Sequence, residues 1–187
     1  MNFEGKVAVI TGSSAGIGAE AAKKITAMGG RVTINYSKSK EAAEEVAHEC
    51  SHLGEPPLII KSDIATDEGC KHIIDRAFSE FGAINILINN AGRTKFADHS
   101  NLDALQRDDF ENIFALNLNS NYELIKHARP HLAKNKKSSI VNISSVAGLR
   151  GLGSSVAYAA SKGALNSMTL ALSRSLGPDG IRVNAVC

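Results

Sequence analysis

Short apolar runs such as VAVI, INILI and SIVNI punctuate the chain, and between them lie longer stretches with apolar residues at helical spacing. The runs predict strands near 6–11, 31–36, 57–61, 84–88, 138–143 and 181–186. The longer stretches predict helices near 16–29, 39–53, 67–81, 106–133 and 157–176. The strand segments are short, β-branched and apolar throughout, which is what burial on both faces demands. Regular alternation of strand and helix implies a parallel sheet covered on both sides. Right-handed crossovers then give a doubly wound α/β fold whose ligand crevice lies beyond the carboxyl ends of the strands. Nothing repeats or falls into low complexity, so residues 1–187 are read as a single domain.

At the first strand-to-helix junction stands TGSSAGIG, with Gly12, Gly16 and Gly18 in seven residues. Glycine costs roughly 0.5–1 kcal/mol against alanine in a regular element, so three of them mark a backbone that must come close to something. The N-terminus of a first helix, with unpaired amides and partial positive charge, is where a dinucleotide pyrophosphate sits in a Rossmann-type sheet. The spacing is GxxxGxG rather than GxGxxG.

Composition narrows the classes. With 187 residues and 43% hydrophobic content the chain can bury a full-sized core, roughly 68–70% of its unfolded surface. A net charge of +2, with basic residues scattered among acidic ones, gives no stripe for nucleic acid or an anionic membrane. No apolar run approaches membrane-spanning length and MNFEGK lacks the pattern of a secretion signal, so a cytoplasmic location is the expectation. Cys50, Cys70 and Cys187 show no paired spacing and read as reduced thiols. HECSH, with His48, Cys50 and His52, reads as a polar helix end rather than a metal cluster, and Pro130 lies between His127 and His131; no metal is expected.

The chain resembles the short-chain dehydrogenases/reductases from Lys6 to Cys187. TGSSAGIG looks like that family's nucleotide loop and NNAG, Asn89 to Gly92, like its motif after the fourth strand. Asn117 in ALNLNS, Ser145 in NISS, and Tyr158 with Lys162 in YAASK look like its catalytic set, in matching order and spacing. The chemistry of the pair also follows from the residues. Tyr158 and Lys162 stand four apart in a helical stretch and share a face. An ammonium some 4 Å from a phenol, at an effective dielectric near 20, favours phenolate by roughly 4 kcal/mol, or about three pKa units. That brings a tyrosine close to neutrality, where an acid-base group works best.

The resemblance implies that Ser145 holds a substrate carbonyl oxygen while Tyr158 protonates it as hydride arrives from a nicotinamide. Lys162, beside Tyr158, would also grip the nicotinamide ribose, and Asn117 would fix a water joining Lys162 to solvent. Ser145 is preferred to Ser144 by its spacing to Tyr158. The cofactor contacts so implied are Gly12, Ser14, Gly16, Ile17, Gly18, Asn90, Ala91 and Gly92 around the phosphates and nicotinamide, with Asp63 at the adenine. The acid that selects NAD, about 20 residues past the glycines, is replaced by Tyr36, and Ser37, Lys38 and Lys40 follow. NADP is therefore expected, with NAD the alternative, since Ala15 stands where many NADP-preferring members carry a basic residue.

For substrate, a small carbonyl or alcohol compound is expected, lined by position with Arg93, Thr94, Lys95, Phe96, Leu149, Arg150, Gly151 and Leu152. The chain is similar to β-ketoacyl carrier-protein reductases, but Asp179 stands where members acting on carrier protein tend to have a basic residue. The helices near 106–133 and 157–176 hold apolar or small residues on more than one side, and relatives pair them, so a homodimer or homotetramer is expected. Relatives continue past the sixth strand with a helical lid and a last strand, so a chain ending at Cys187 is expected to bind cofactor but turn over poorly. A second reading is a catalytically silent nucleotide-binding redox sensor or scaffold. The presence of Asn117, Ser145, Tyr158 and Lys162 together favours the enzyme.

Overall fold

The six apolar runs form strands β1 (Val7–Ile10), β2 (Arg31–Tyr36), β3 (Leu58–Lys61), β4 (Ile86–Asn89), β5 (Ser138–Ile143) and β6 (Ile181–Val186). All pair in parallel, in the order β3-β2-β1-β4-β5-β6, in a computed structural model that describes residues 2–135 and 137–187. In β1, Ala8 stands opposite Val32 on one side and Ile86 on the other. The chain winds outward in one direction from β1 and in the other from β4, so the switch point of the sheet lies between these two strands.

Helices α1 (Gly16–Ala27) and α2 (Lys40–Ser51) cover one face of the sheet, setting Ala19, Ala22, Ile25, Ala43, Val46 and Cys50 against Ala8, Ile10, Val32 and Ile34. On the other face α3 (Asp67–Phe81), α5 (Ser120–Leu132) and α7 (Val156–Leu176) set Ile73, Ile74, Leu124, Ala128, Leu132 and Leu176 against Val9, Leu87, Ile140 and Val183. These side chains recur three and four apart, which is why the helices lie flat on the sheet. The expectation of burial on both faces holds for the central strands and fails at the edges. Every residue of β1 is buried, whereas Ile59 and Lys61 on β3, and Arg182, Asn184 and Val186 on β6, are exposed.

The single helix expected over 106–133 is three pieces. Helix α4 (Arg107–Phe114) passes into a π-helical segment, Ala115–Asn119, and then into α5. Pro130 does not end α5, which continues around it to Leu132. One further short helix, α6 (Ala147–Arg150), follows β5 where sequence pattern gave no element.

Several strand positions are polar yet buried, and they tie the strands to one another, to the glycine loop and to α7. The Asn35 carboxamide accepts from the Gly12 amide at 3.0 Å and donates to the carbonyls of Ile60 and Ser62 at 3.3 and 3.2 Å. Thr33 accepts from the Ile10 amide at 3.1 Å, and the Ser13 hydroxyl donates back to the Ile10 carbonyl at 2.9 Å. Between β4 and β5, Asn89 donates to Asn142 at 2.8 Å, and Asn142 donates to Thr169 of α7 at 2.8 Å. Replacing Asn35 with alanine leaves one amide and two carbonyls without their partner in the interior. The expected outcome is a loss of about 1–3 kcal/mol in urea unfolding, with cofactor affinity falling as the Gly12 turn loosens; an unchanged unfolding midpoint would refute it.

Candidate active site

The glycine loop lies at the carboxyl end of β1, beside the switch point. Gly12 has φ +59°, and a Cβ there would stand 2.9 Å from the Ala91 Cα, so only glycine lets the loop lie against the segment after β4. At Gly18 a Cβ would meet the Asn90 Nδ2 at 2.5 Å and the Gly12 carbonyl oxygen at 2.9 Å. The same junction is cross-linked by polar contacts. The Thr11 hydroxyl accepts from the amides of Asn90 and Ala91, at 3.0 and 3.2 Å, and Asn90 Nδ2 donates to the carbonyls of Thr11 and Gly12, both at 3.0 Å. Helix α1 then starts with no side-chain cap and no acid in its first turn, and the Cβ direction of Gly16 opens onto free space. Uncapped amides behind an open glycine surface fit the pyrophosphate of a dinucleotide.

A cavity of ≈ 270 Å³ extends from this loop toward the ends of β2 and β3, lined by Gly12, Ser14, Tyr36, Ser37, Lys38, Asp63, Asn90, Ala91 and Gly92 among others. Nine of the expected cofactor-contact positions therefore border the glycine-loop cavity, and Gly16 and Gly18 help shape its loop, Gly18 from behind. Tyr36 is buried, with 9% exposure, and joins the core under α1 and α2, so its side chain is structural as well as cavity-lining. Lys38 borders the cavity, while Lys40 turns to Glu44 at 3.2 Å on α2. Asp63 Oδ1 accepts from the Ala65 amide at 3.1 Å, and the cap of α3 is Thr66, so Asp63 shapes the turn without capping the helix.

A second cavity, of ≈ 630 Å³, adjoins the glycine loop and is bordered by Ile17, Gly92, Arg93, Phe96, Ser145, Leu152, Tyr158 and Lys162. Helix α7 is capped by Ser155, whose hydroxyl accepts from the Tyr158 amide, so Tyr158 stands in its first turn and Lys162 one turn further. Helix α6 packs directly on that turn: a Cβ on Gly148 would fall 2.5 Å from the Lys162 carbonyl carbon. This brings Ser145 to the same cavity as Tyr158. Its hydroxyl oxygen accepts from the Ala147 amide at 3.1 Å, which leaves its proton to donate. Ser144 borders the cavity too, but its hydroxyl is committed, donating to Asn166 at 2.6 Å.

Lys162 is only 4% exposed, and burial pushes its ammonium down to about 8. Its Nζ donates to the Ile143 carbonyl at 2.7 Å and lies 5.7 Å from the Tyr158 ring centroid. Asn117 falls in the π-helical segment and is fully buried. Its carboxamide accepts from the Arg93 amide at 2.8 Å and donates to the Arg93 carbonyl at 2.9 Å and to Ser161 at 3.0 Å. A Cβ on Gly92 would lie 3.3 Å from Asn117 Oδ1 and 3.7 Å from Lys162 Nζ, so Gly92 lets the strand end pass between them. π-Helical insertions concentrate at functional sites because they re-aim one side chain without breaking the helix.

Of the residues expected at the substrate wall, Arg93, Thr94, Phe96 and Leu152 line the cavity. Lys95 instead pairs with Asp109 at 2.7 Å, and Leu149, Arg150 and Gly151 stand outside it. Ser161 and Asn35 escaped the sequence reading, although a polar residue at an inward strand position was a signal for Asn35. His48 and His52 meet edge to face, 4.5 Å apart, and Cys50 is buried in the core away from them. Elsewhere Asp67, Glu123 and His127 come within 4.8 Å of one another, with the Lys126 ammonium 3.3 Å from Asp67 in the same cluster, and the His127 hydrogen bond holds the Asp67 carboxyl down at about 2.

Residues 6–187 match the short chain dehydrogenase family. The chain is 37% identical over 183 residues to a protein of Streptomyces violaceoruber named as ketoacyl reductase 2 of the granaticin polyketide synthase, covering 98% of this chain and 72% of that one. A short-chain dehydrogenase from Burkholderia cenocepacia in complex with NADP superposes with TM-score 0.92 at 36% identity, covering 99% of this chain and 74% of its own. NAD+-bound xylitol dehydrogenase superposes equally, TM-score 0.92 at 28% identity, over 99% of this chain and 70% of its own. With the parallel six-stranded sheet and the glycine loop at its switch point, these matches establish that the chain belongs to the short-chain dehydrogenase/reductase family of NAD(P)-dependent oxidoreductases.

Proposed function

We propose that this chain interconverts a ketone and a secondary alcohol using NADP in preference to NAD, with 3-oxoacyl-like compounds as the substrate class. The observation that carries the reading is that Ser145, Tyr158 and Lys162 border one cavity adjoining the glycine loop, with Asn117 behind its wall. The Streptomyces relative named as a ketoacyl reductase supports the substrate class. Lys38 beside Tyr36, with no acid at the end of β2, supports NADP, as does the Burkholderia cenocepacia complex; the xylitol dehydrogenase holds NAD+.

In the reduction direction the bound nicotinamide supplies a hydride. Ser145 donates its hydroxyl proton in a hydrogen bond to the carbonyl oxygen and orients it. Tyr158 transfers its phenolic proton to that oxygen as the C–O double bond becomes single, and the phenolate left behind is stabilised by the Lys162 ammonium. Lys162 sits near neutrality and so can pass a proton back to Tyr158; Asn117 is the group proposed to hold the water leading from Lys162 to solvent. Exposed apolar side chains bordering the cavity, Phe96, Val146 and Leu152, would meet the hydrocarbon part of the substrate. Pairing through α5 and α7 into a homodimer or homotetramer belongs to the same reading, since Tyr122 and Leu170 on these helices are half-exposed.

Three outcomes test this. Tyr158→Phe keeps the ring and removes the proton, so turnover followed by NADPH absorbance should fall at least about 100-fold while cofactor affinity barely moves; a variant keeping more than about a tenth of the rate refutes the assignment.

Tyr36→Asp places a carboxylate where the 2′-phosphate would lie and should swing the ratio of NADP to NAD dissociation constants by about tenfold or more, ~1.4 kcal/mol, towards NAD. Equal affinities for both cofactors before substitution would sink the proposed preference.

The third concerns pH. Because Lys162 titrates near 8 when folded but at 10.5 when unfolded, the unfolded chain binds more protons between those values, and stability rises with pH across that window. Below 8 the buried ammonium is a full burden on folding. Lys162→Met should therefore unfold at higher urea at neutral pH, by about 1–3 kcal/mol, lose this advantage above 10.5, and abolish turnover. A variant less stable than the parent at neutral pH contradicts the assignment.

A further inference from the structure

Arg93 is held in an unusual way. Asn117 grips both its amide, at 2.8 Å, and its carbonyl, at 2.9 Å, so the backbone from which the guanidinium emerges is fixed as firmly as a residue of a sheet. The neighbouring segment is pinned as well: the hydroxyls of Thr94 and Ser154 meet at 2.6 Å, and the Ala97 amide donates to the Ser154 carbonyl at 2.9 Å. Arg93 thus projects from a rigid wall between the glycine-loop cavity and the larger cavity and borders both.

Among the described residues the Arg93 charge is in no ion pair, although Asp63 borders the glycine-loop cavity that Arg93 also lines. Lys95, two positions on, is neutralised by Asp109 at 2.7 Å. The larger cavity contains two cationic side chains, Arg93 and Lys162, and no Asp or Glu. Lys162 is committed to the floor by its bond to Ile143. That leaves one planar guanidinium, with five donors in a fork, on a wall shared with the apolar Phe96, Val146 and Leu152.

We infer that Arg93 is a specificity-determining residue that binds a carboxylate of the substrate, so that the preferred compound is an oxo acid with an apolar body rather than a neutral ketone. This rests on the oxidoreductase reading above and narrows its 3-oxoacyl-like class to compounds that carry a free carboxylate. A single guanidinium matches one carboxylate in a bidentate pair. A phosphate dianion would call for a second free cation on that wall, and Lys95, the nearest candidate in sequence, is already paired.

The test is a graded series of straight-chain oxo acids, with the carboxylate progressively further from the ketone, each against its methyl ester. Some member should show kcat/KM at least about tenfold above its ester. Arg93→Gln should collapse that ratio towards one, chiefly through KM, and Arg93→Lys should retain part of it. Calorimetric titration of NADP into Arg93→Gln separates the alternative: if cofactor affinity falls and acid and ester lose equally, Arg93 serves the cofactor and the inference is overturned. If no ketone is reduced at all, the oxidoreductase reading fails, and titration of the oxo acids into the parent and Arg93→Gln decides separately. Binding weakened about tenfold by the substitution sustains the carboxylate site, and unchanged or absent binding refutes it.

Discussion

Everything at the candidate active site depends on the join between the ends of β1 and β4. Two strands that are remote in sequence and adjacent in space leave a gap at their carboxyl ends, where the crossovers diverge to opposite directions. In this chain that gap is held to a fixed width by Thr11 and Asn90, each satisfying the other's backbone, and by the absence of Cβ atoms at Gly12 and Gly18. The glycine loop and the Gly92–Arg93 segment thereby become one rigid body. A cofactor lying along one and a substrate against the other would meet at a geometry set by the sheet, not by the flexibility of loops.

From that join the constraints pass outward through buried polar groups. Asn35 carries the glycine loop to β2 and β3, and Asn117 carries Arg93 to the helix behind it. Each such group demands full pairing in a low-dielectric interior, and for that reason each fixes a position more sharply than an apolar contact of the same size would. Lys162 is the exception in kind. Its ammonium is buried, donating to the Ile143 carbonyl, and that desolvation is what brings its proton within reach of neutral chemistry.

Much of this was legible in the residues. Apolar runs and helical periods gave all six strands, and GxxxGxG stood out by its place at the first strand-to-helix junction, whereas NNAG and the YxxxK pair drew their reading from the family resemblance. The π-helical segment was not legible, because ALNLNS has the composition of an ordinary helix and the extra residue in the turn is set by what Asn117 must reach. Edge exposure was hidden for a similar reason: Leu58 to Lys61 reads like a central strand, and only the order of strands in the sheet makes it an edge. Nor could spacing reveal that Lys95 is neutralised while Arg93 is not, since Lys95 lies in the loop after β4 and Asp109 arrives from α4.

The bond between Asn89 and Asn142 has a bearing on how the sheet comes to be assembled at all. Parallel strands joined by long crossovers have no turn to set their alignment, and apolar faces tolerate a slip of two residues with little penalty in burial. Asn89 and Asn142 are directly opposed in β4 and β5, and their carboxamides meet at 2.8 Å in the interior. A slipped pairing would separate them and strand two amides among aliphatic side chains, at roughly 1–3 kcal/mol each. The native register is thereby favoured over a slipped one, and in that register NNAG and Ser145, which leave the ends of those same two strands, emerge level with each other.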